Sequence, residues 1–182
     1  MPQMNKILII GCPGAGKTTF ATRLKDKLAL PLFHLDAIWH KADRTHISRQ
    51  EFDRKLEELL SLEAFILDGN YSRTLARRMA ACDTVFLFDL PTDLCLAGAR
   101  SRLGTKRNDI PFVDTTLDPH LQEEIIQFRE KNLPEIYALL EAYRDTKTII
   151  IFKSREEAEC YLESETGESL WSITNLQTKL PS

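Results

Sequence analysis

Short apolar runs alternate with longer amphipathic stretches along this chain. Lys6–Ile10 reads KILII, which predicts a strand buried on both faces. A glycine-rich turn follows, and Thr18–Leu28 sets Phe20, Leu24 and Leu28 on one helical stripe. Leu32–Leu35 predicts a short second strand. Ser48-x-x-Glu51 forms a capping box before Phe52, Leu56 and Leu59, the apolar face of another helix. Phe65–Leu67 and Val85–Phe88 predict strands three and four, with a helix over Ser72–Ala81 between them. Thr92–Leu103 predicts a further helix. Asp118-Pro119 supplies an N-cap with proline at the first helical position. Leu121, Ile125, Phe128, Ile136, Leu139 and Tyr143 then keep a helical period, with a kink expected near Pro134. Thr148–Phe152 predicts strand five, and Ser154-x-x-Glu157 caps a last helix to about Leu162.

Strands that alternate with helices and are apolar throughout imply an α/β fold. The expected arrangement is a three-layer α/β/α sandwich around a five-stranded parallel sheet. Ligands of such sheets sit beyond the carboxyl ends of the strands, so the polar residues just after each strand are the candidates for chemistry. A chain of 182 residues suits one domain, expected over residues 1–163. Residues 164–182 keep no clear period and read as a C-terminal extension.

Composition narrows the function classes. The net charge is −3, so a protein built to grip nucleic acid is disfavoured. Cys12, Cys82, Cys95 and Cys160 show neither C-x-x-C spacing nor a joining histidine cluster, which argues against zinc. Four cysteines in a chain this long do not make a disulfide framework. The first apolar stretch, Ile7–Ile10, is too short for a signal peptide or a membrane span, so a cytoplasmic protein is expected.

The chemistry concentrates in Gly11-Cys12-Pro13-Gly14-Ala15-Gly16-Lys17-Thr18, which matches G-x-x-x-x-G-K-[ST] between a predicted strand and a predicted helix. Gly11, Pro13, Gly14, Ala15, Gly16, Lys17, Thr18 and Thr19 are the expected nucleotide-binding residues. Glycines let backbone N–H groups close on phosphate oxygens, and the helix N-terminus adds positive potential. Lys17 should reach the β- and γ-phosphates, and the Thr18 hydroxyl should ligate Mg²⁺. Cys12 reads as a small packing residue. No N-K-x-D sequence is present to read guanine, and the chain is short for a motor ATPase, which leaves a small phosphotransferase.

Four further segments join the loop. They are His34-Leu35-Asp36-Ala37-Ile38-Trp39, Asp68-Gly69-Asn70-Tyr71-Ser72-Arg73, Asp89-Leu90-Pro91 and Arg100-Ser101-Arg102-Leu103-Gly104-Thr105-Lys106-Arg107. Together they resemble the nucleoside-monophosphate kinase superfamily, and within it the adenylate kinase-related branch of topology modulation proteins. The resemblance covers about residues 6–163. It implies a short mobile lid, expected at about 102–118, and transfer of the ATP γ-phosphoryl group to a small acceptor. It places Asp68 near Mg²⁺ and Arg73 near the acceptor, displaced by one residue because Asn70-Tyr71-Ser72 replaces F-P of the family's D-G-F-P-R.

Phosphoryl transfer needs cations around the moving group and a carboxylate for metal or acceptor. Lys17, Asp68, Arg102 and Arg107 are therefore the expected catalytic residues, with Thr18 and Asp68 on the metal. The same resemblance implies that Asp36, just after the second strand, holds the acceptor; the i, i+4 pair Arg73 and Arg77 is expected there too, while Arg78 points elsewhere. Asp89 reads as structural. The sequence thus predicts an ATP- and Mg²⁺-dependent kinase of a small molecule, with a nucleoside monophosphate among the candidate acceptors. It expects no direct nucleic-acid binding and no membrane. The alternative is an ATP-binding regulatory switch with weak ATPase activity and a protein partner.

Overall fold

A computed structural model describes residues 4–164; the extension expected at 164–182 lies outside the described residues apart from Ser164. Five parallel strands form one sheet in the order β2-β3-β1-β4-β5. They are β1 (Lys6–Gly11), β2 (Leu32–His34), β3 (Phe65–Asp68), β4 (Thr84–Phe88) and β5 (Thr148–Phe152). Helices α1 (Lys17–Leu28), α2 (Leu35–Trp39), α3 (Arg49–Leu60), α4 (Leu75–Ala81), α5 (Thr92–Ser101), α6 (Pro119–Lys131), α7 (Leu133–Tyr143) and α8 (Arg155–Glu163) connect and cover the strands. This is the three-layer α/β/α arrangement that the apolar pattern implies. Among the described residues, no helix is long and apolar enough to cross a membrane.

The centre of the sheet is dry because its strands are apolar on both faces. Ile7, Leu8, Ile9 and Ile10 are fully buried, as are Val85, Phe86 and Leu87 beside them. Phe20 of α1 packs its ring 5.0 Å from Phe86 and 5.3 Å from both Phe88 and Phe152. That aromatic cluster fixes α1, and with it the loop before α1, against the carboxyl ends of β4 and β5.

Three boundaries differ from the sequence expectation. The second strand stops at His34, and Leu35 opens the five-residue helix α2, with Asp36 in its first turn. The helix expected over Ser72–Ala81 begins as a 3-10 turn at Ser72–Thr74 and becomes α-helical only from Leu75. The long helix expected to kink near Pro134 divides into α6 and α7 at Asn132. Pro134 has no N–H to give the carbonyl four residues back, so it fits the first turn of a new helix and not the interior of an old one.

Candidate active site

The loop after β1 lies beyond the carboxyl end of the central strand, flanked by β3 and β4. Gly11, Gly14 and Gly16 take φ values of 136°, 81° and 104°. At Gly14 a Cβ would stand 2.0 Å from the Cys95 carbonyl of α5, so this position needs both the backbone freedom and the missing side chain. No side chain caps the first turn of α1, which leaves its N–H groups available to an anion.

A cleft of about 940 Å³ opens over this loop. Pro13, Gly14, Ala15, Gly16, Lys17, Thr18 and Thr19 line it. Gly11 does not; it sits at the strand end, where its bare Cα lets β1 pack against Phe88. Lys17 Nζ donates to the carbonyls of Gly11 (2.7 Å) and Cys12 (2.8 Å). Burial pushes its pKa down, and the Asp68 carboxylate works against that.

The Thr18 hydroxyl stands 3.0 Å from Asp68 Oδ2 and 3.3 Å from Asp109 Oδ2. Asp68, the last residue of β3, pairs in register with His34 of β2, and His34 Nδ1 lies 2.9 Å from the same Asp68 oxygen. Burial disfavours the imidazolium, but the hydrogen bond and charge of Asp68 outweigh it and hold His34 above its ordinary pKa. The donors at Thr18 and Asp68 are hard oxygens, which suits Mg²⁺; that ion takes one or two protein oxygens and completes its shell with phosphate and water.

Residues 102–118 contain no regular helix or strand and line the cleft from the opposite side. Arg102 lies near enough to Lys17 to depress the lysine's pKa by charge, and its buried Nε has no hydrogen-bond partner. Arg107 reaches the buried Asp109 with two bonds of 2.9 and 2.5 Å. Asp36 lines the cleft from α2 and accepts from the Tyr71 hydroxyl at 2.8 Å. Its pKa is raised by desolvation, which the Tyr71 bond partly offsets.

Arg73 and Arg77, expected at the acceptor, are elsewhere. Arg73 makes a bidentate pair with Asp53 (2.9 and 2.6 Å), and Arg77 pairs with Glu57 at 2.8 Å. Asp53 and Glu57 are four apart on α3, and so are their partners, Arg73 in the 3-10 turn and Arg77 in α4, so the two pairs run along the exposed side of the junction. The face the two arginines share is turned to α3, and neither lines the cleft. Arg78, the neighbour of Arg77, is fully buried and donates to Gly69 O, Tyr71 O and Thr74 Oγ1 at 2.8, 2.8 and 3.2 Å. It props the loop after β3 from beneath.

Sequence reasoning missed several residues of this cleft. Asp109 follows no strand and belongs to no motif; its only signal was a place two residues after Arg107. Glu124 of α6 is open to the cleft's solvent, yet enough protein surrounds it for desolvation to raise its pKa, opposed by Lys17. Arg155 of α8 donates to the Gly14 carbonyl (3.0 Å) and the Leu94 carbonyl (3.1 Å), tying the loop to α5. Asp89 accepts from Arg129 and Tyr137 at 2.7 Å each and pairs with Lys153, a structural junction at the end of β4.

No protein-family model matches the sequence, and no curated protein matches it. Solved structures do. The shikimate kinase of Acinetobacter baumannii, in complex with shikimate, superposes with a TM-score of 0.56 at 18% identity, covering 98% of this chain and 97% of that one. The shikimate kinase of Bacteroides thetaiotaomicron gives 0.55 at 17% identity, covering 95% and 99%. The deoxyadenosine kinase of M. mycoides gives 0.52 at 14% identity, covering 93% and 98%. At these identities the likeness speaks for the fold: this chain is a five-stranded parallel α/β/α sandwich of the kind that small P-loop kinases share.

Proposed function

We propose that the protein is a small kinase that moves the γ-phosphoryl group of Mg·ATP to a hydroxyl of a small acceptor. The observation that carries this reading is the single cleft in which Lys17, Thr18, Asp68, Arg102 and Asp36 all meet above an uncapped helix N-terminus. The fold shared with kinases of shikimate and of deoxyadenosine supports it. So does the likeness of the phosphate loop and the D-G-N-Y-S-R segment to adenylate kinase-related proteins.

In this reading ATP supplies the phosphoryl group, and Thr18 and Asp68 would hold Mg²⁺, which would neutralise charge on that group. The backbone of residues 11–18 cradles the phosphates. Lys17 leaves its two loop carbonyls to meet the phosphate oxygens. Arg102 brings positive charge from the lid side, where the transferring group gains charge-assisted contacts, while Arg107 stays paired with Asp109. Asp36 holds the acceptor hydroxyl and takes its proton, and Tyr71 orients the Asp36 carboxylate. Closure of residues 102–118 excludes water, so the phosphoryl group goes to the acceptor. No covalent enzyme intermediate is needed, because positioning and charge do the catalysis.

The test is ADP release from Mg·ATP with and without added hydroxyl compounds. Acceptor-dependent turnover that falls at least 1000-fold in Lys17→Ala is expected. Slow hydrolysis indifferent to every acceptor, with tight ATP binding, would replace the kinase by the regulatory switch.

A further inference from the structure

The acceptor half of the cleft has a charge balance that selects its substrate. We infer that the acceptor is an uncharged hydroxyl compound, a sugar, polyol or nucleoside, and that monophosphates and hydroxy acids are excluded. This rests on the kinase reading above.

An anionic acceptor needs a cation whose donors are not already committed. Arg44 reaches the acceptor side, but its guanidinium donates to Asp114 Oδ1 (3.0 Å) and the Val113 carbonyl (2.6 Å) and lies 4.6 Å over the Phe112 ring. Arg107 is held by two bonds to Asp109. Arg73 and Arg77 face α3, and Arg78 is committed to three acceptors beneath the loop. Of the other lysines and arginines lining the cleft, Arg155 is spent on the Gly14 and Leu94 carbonyls, which leaves Arg102 and, once it gives up its two loop carbonyls, Lys17. The triphosphate carries about four negative charges, which these two cations and one Mg²⁺ together just balance, so none is left over.

The carboxylates tell the same story from the other side. Asp36 has a phenol for a partner, and Glu124 makes no ion pair among the described residues. A phosphate or carboxylate on the acceptor would approach these two groups, and like charges repel, most strongly at the half-buried Asp36. The hydroxyls of a neutral compound meet no such barrier, and two of them can donate, one to each carboxylate. Asn70 lines the cleft as well, and its Nδ2 is buried without a partner. That amide is a donor waiting for an oxygen with a lone pair, which a hydroxyl or ring oxygen provides. Phe112 and His40, edge to face at 5.5 Å, give the C–H face of a ring an apolar wall.

The test compares acceptors in pairs that differ only by charge: nucleosides against their monophosphates, hexoses against their 6-phosphates, and cyclic polyols against the corresponding ring acids. ADP release from Mg·ATP is measured for each with the wild-type protein and with Lys17→Ala. At least one uncharged member is expected to exceed its charged twin tenfold or more in kcat/KM, in a Lys17-dependent way. Glu124→Gln should narrow that ratio by lowering KM for the charged twin. A Lys17-dependent preference for the charged member, or a ratio unmoved by Glu124→Gln, overturns the inference while leaving the kinase standing. Hydrolysis that ignores all acceptors overturns the kinase reading, and the inference with it.

Discussion

The two halves of the cleft are built by different means. The proposed phosphate half is one continuous segment, residues 13–19, which offers backbone N–H groups and one lysine. The acceptor half is assembled from side chains on α2, the loop after β3, residues 102–118 and α6. The first is local, so any chain with the right eight residues between a strand and a helix can form it. The second exists only where four separate elements have been brought together. It follows that damage to the first half should act through the backbone, and damage to the second through the supports of individual side chains.

Arg78 should be the most sensitive of those supports. Arg78→Met removes three hydrogen bonds and leaves the buried Gly69 carbonyl without its donor, and a loss of about 3 kcal/mol in unfolding free energy is expected, read by denaturant titration. Survival with unchanged stability would mean that the loop after β3 holds itself. Next comes the phosphate half. A Cβ at position 98 would lie 2.1 Å from the Gly14 carbonyl and 2.5 Å from the Arg155 guanidinium. Gly98→Ala is expected to push the loop off α5, costing about 1–3 kcal/mol of stability and at least tenfold in ATP affinity. Calorimetric titration of ATP measures the second effect.

A smaller effect is expected at Tyr71. Its hydroxyl stabilises ionised Asp36, whose pKa desolvation has already raised. Tyr71→Phe removes that help, so the Asp36 pKa rises further. If Asp36 must be ionised to act, the acidic limb of the kcat/KM profile moves to higher pH, with little change at alkaline pH. A limb that stays in place would remove Asp36 from the role of base. The least effect belongs to Arg73. Its pair with Asp53 is solvent-exposed, so Arg73→Ala should leave kcat, KM and the thermal midpoint unchanged. A large rise in the acceptor's KM would show that the arginine moves from α3 into the cleft.

Arg77 and Arg78 show what the sequence can convey and what it cannot. The chain shows two adjacent cations on one helix, and spacing alone separates their faces. Which face meets a carboxylate ladder and which enters the protein depends on α3, whose Asp53 and Glu57 arrive some twenty residues earlier in sequence. Asp68 was legible because it ends an apolar strand, where such sheets place their ligands. Asp109 was not, because it lies in an irregular stretch with no period and no cap to announce it. His34 was visible as a residue after a strand, yet its bond to Asp68 comes from the β2–β3 register, which no local pattern encodes.

The sequence by itself determined the layers, the five strands and the phosphate loop. Each depends on interactions between residues near one another in the chain: periodicity, capping and the backbone freedom of glycine. The tertiary structure alone decided which charges meet. Ion pairs and desolvation depend on distances between segments far apart in sequence, and these distances are set by how helices pack on the sheet. For that reason the nucleotide end could be read from eight consecutive residues, while the charge balance of the acceptor end could not.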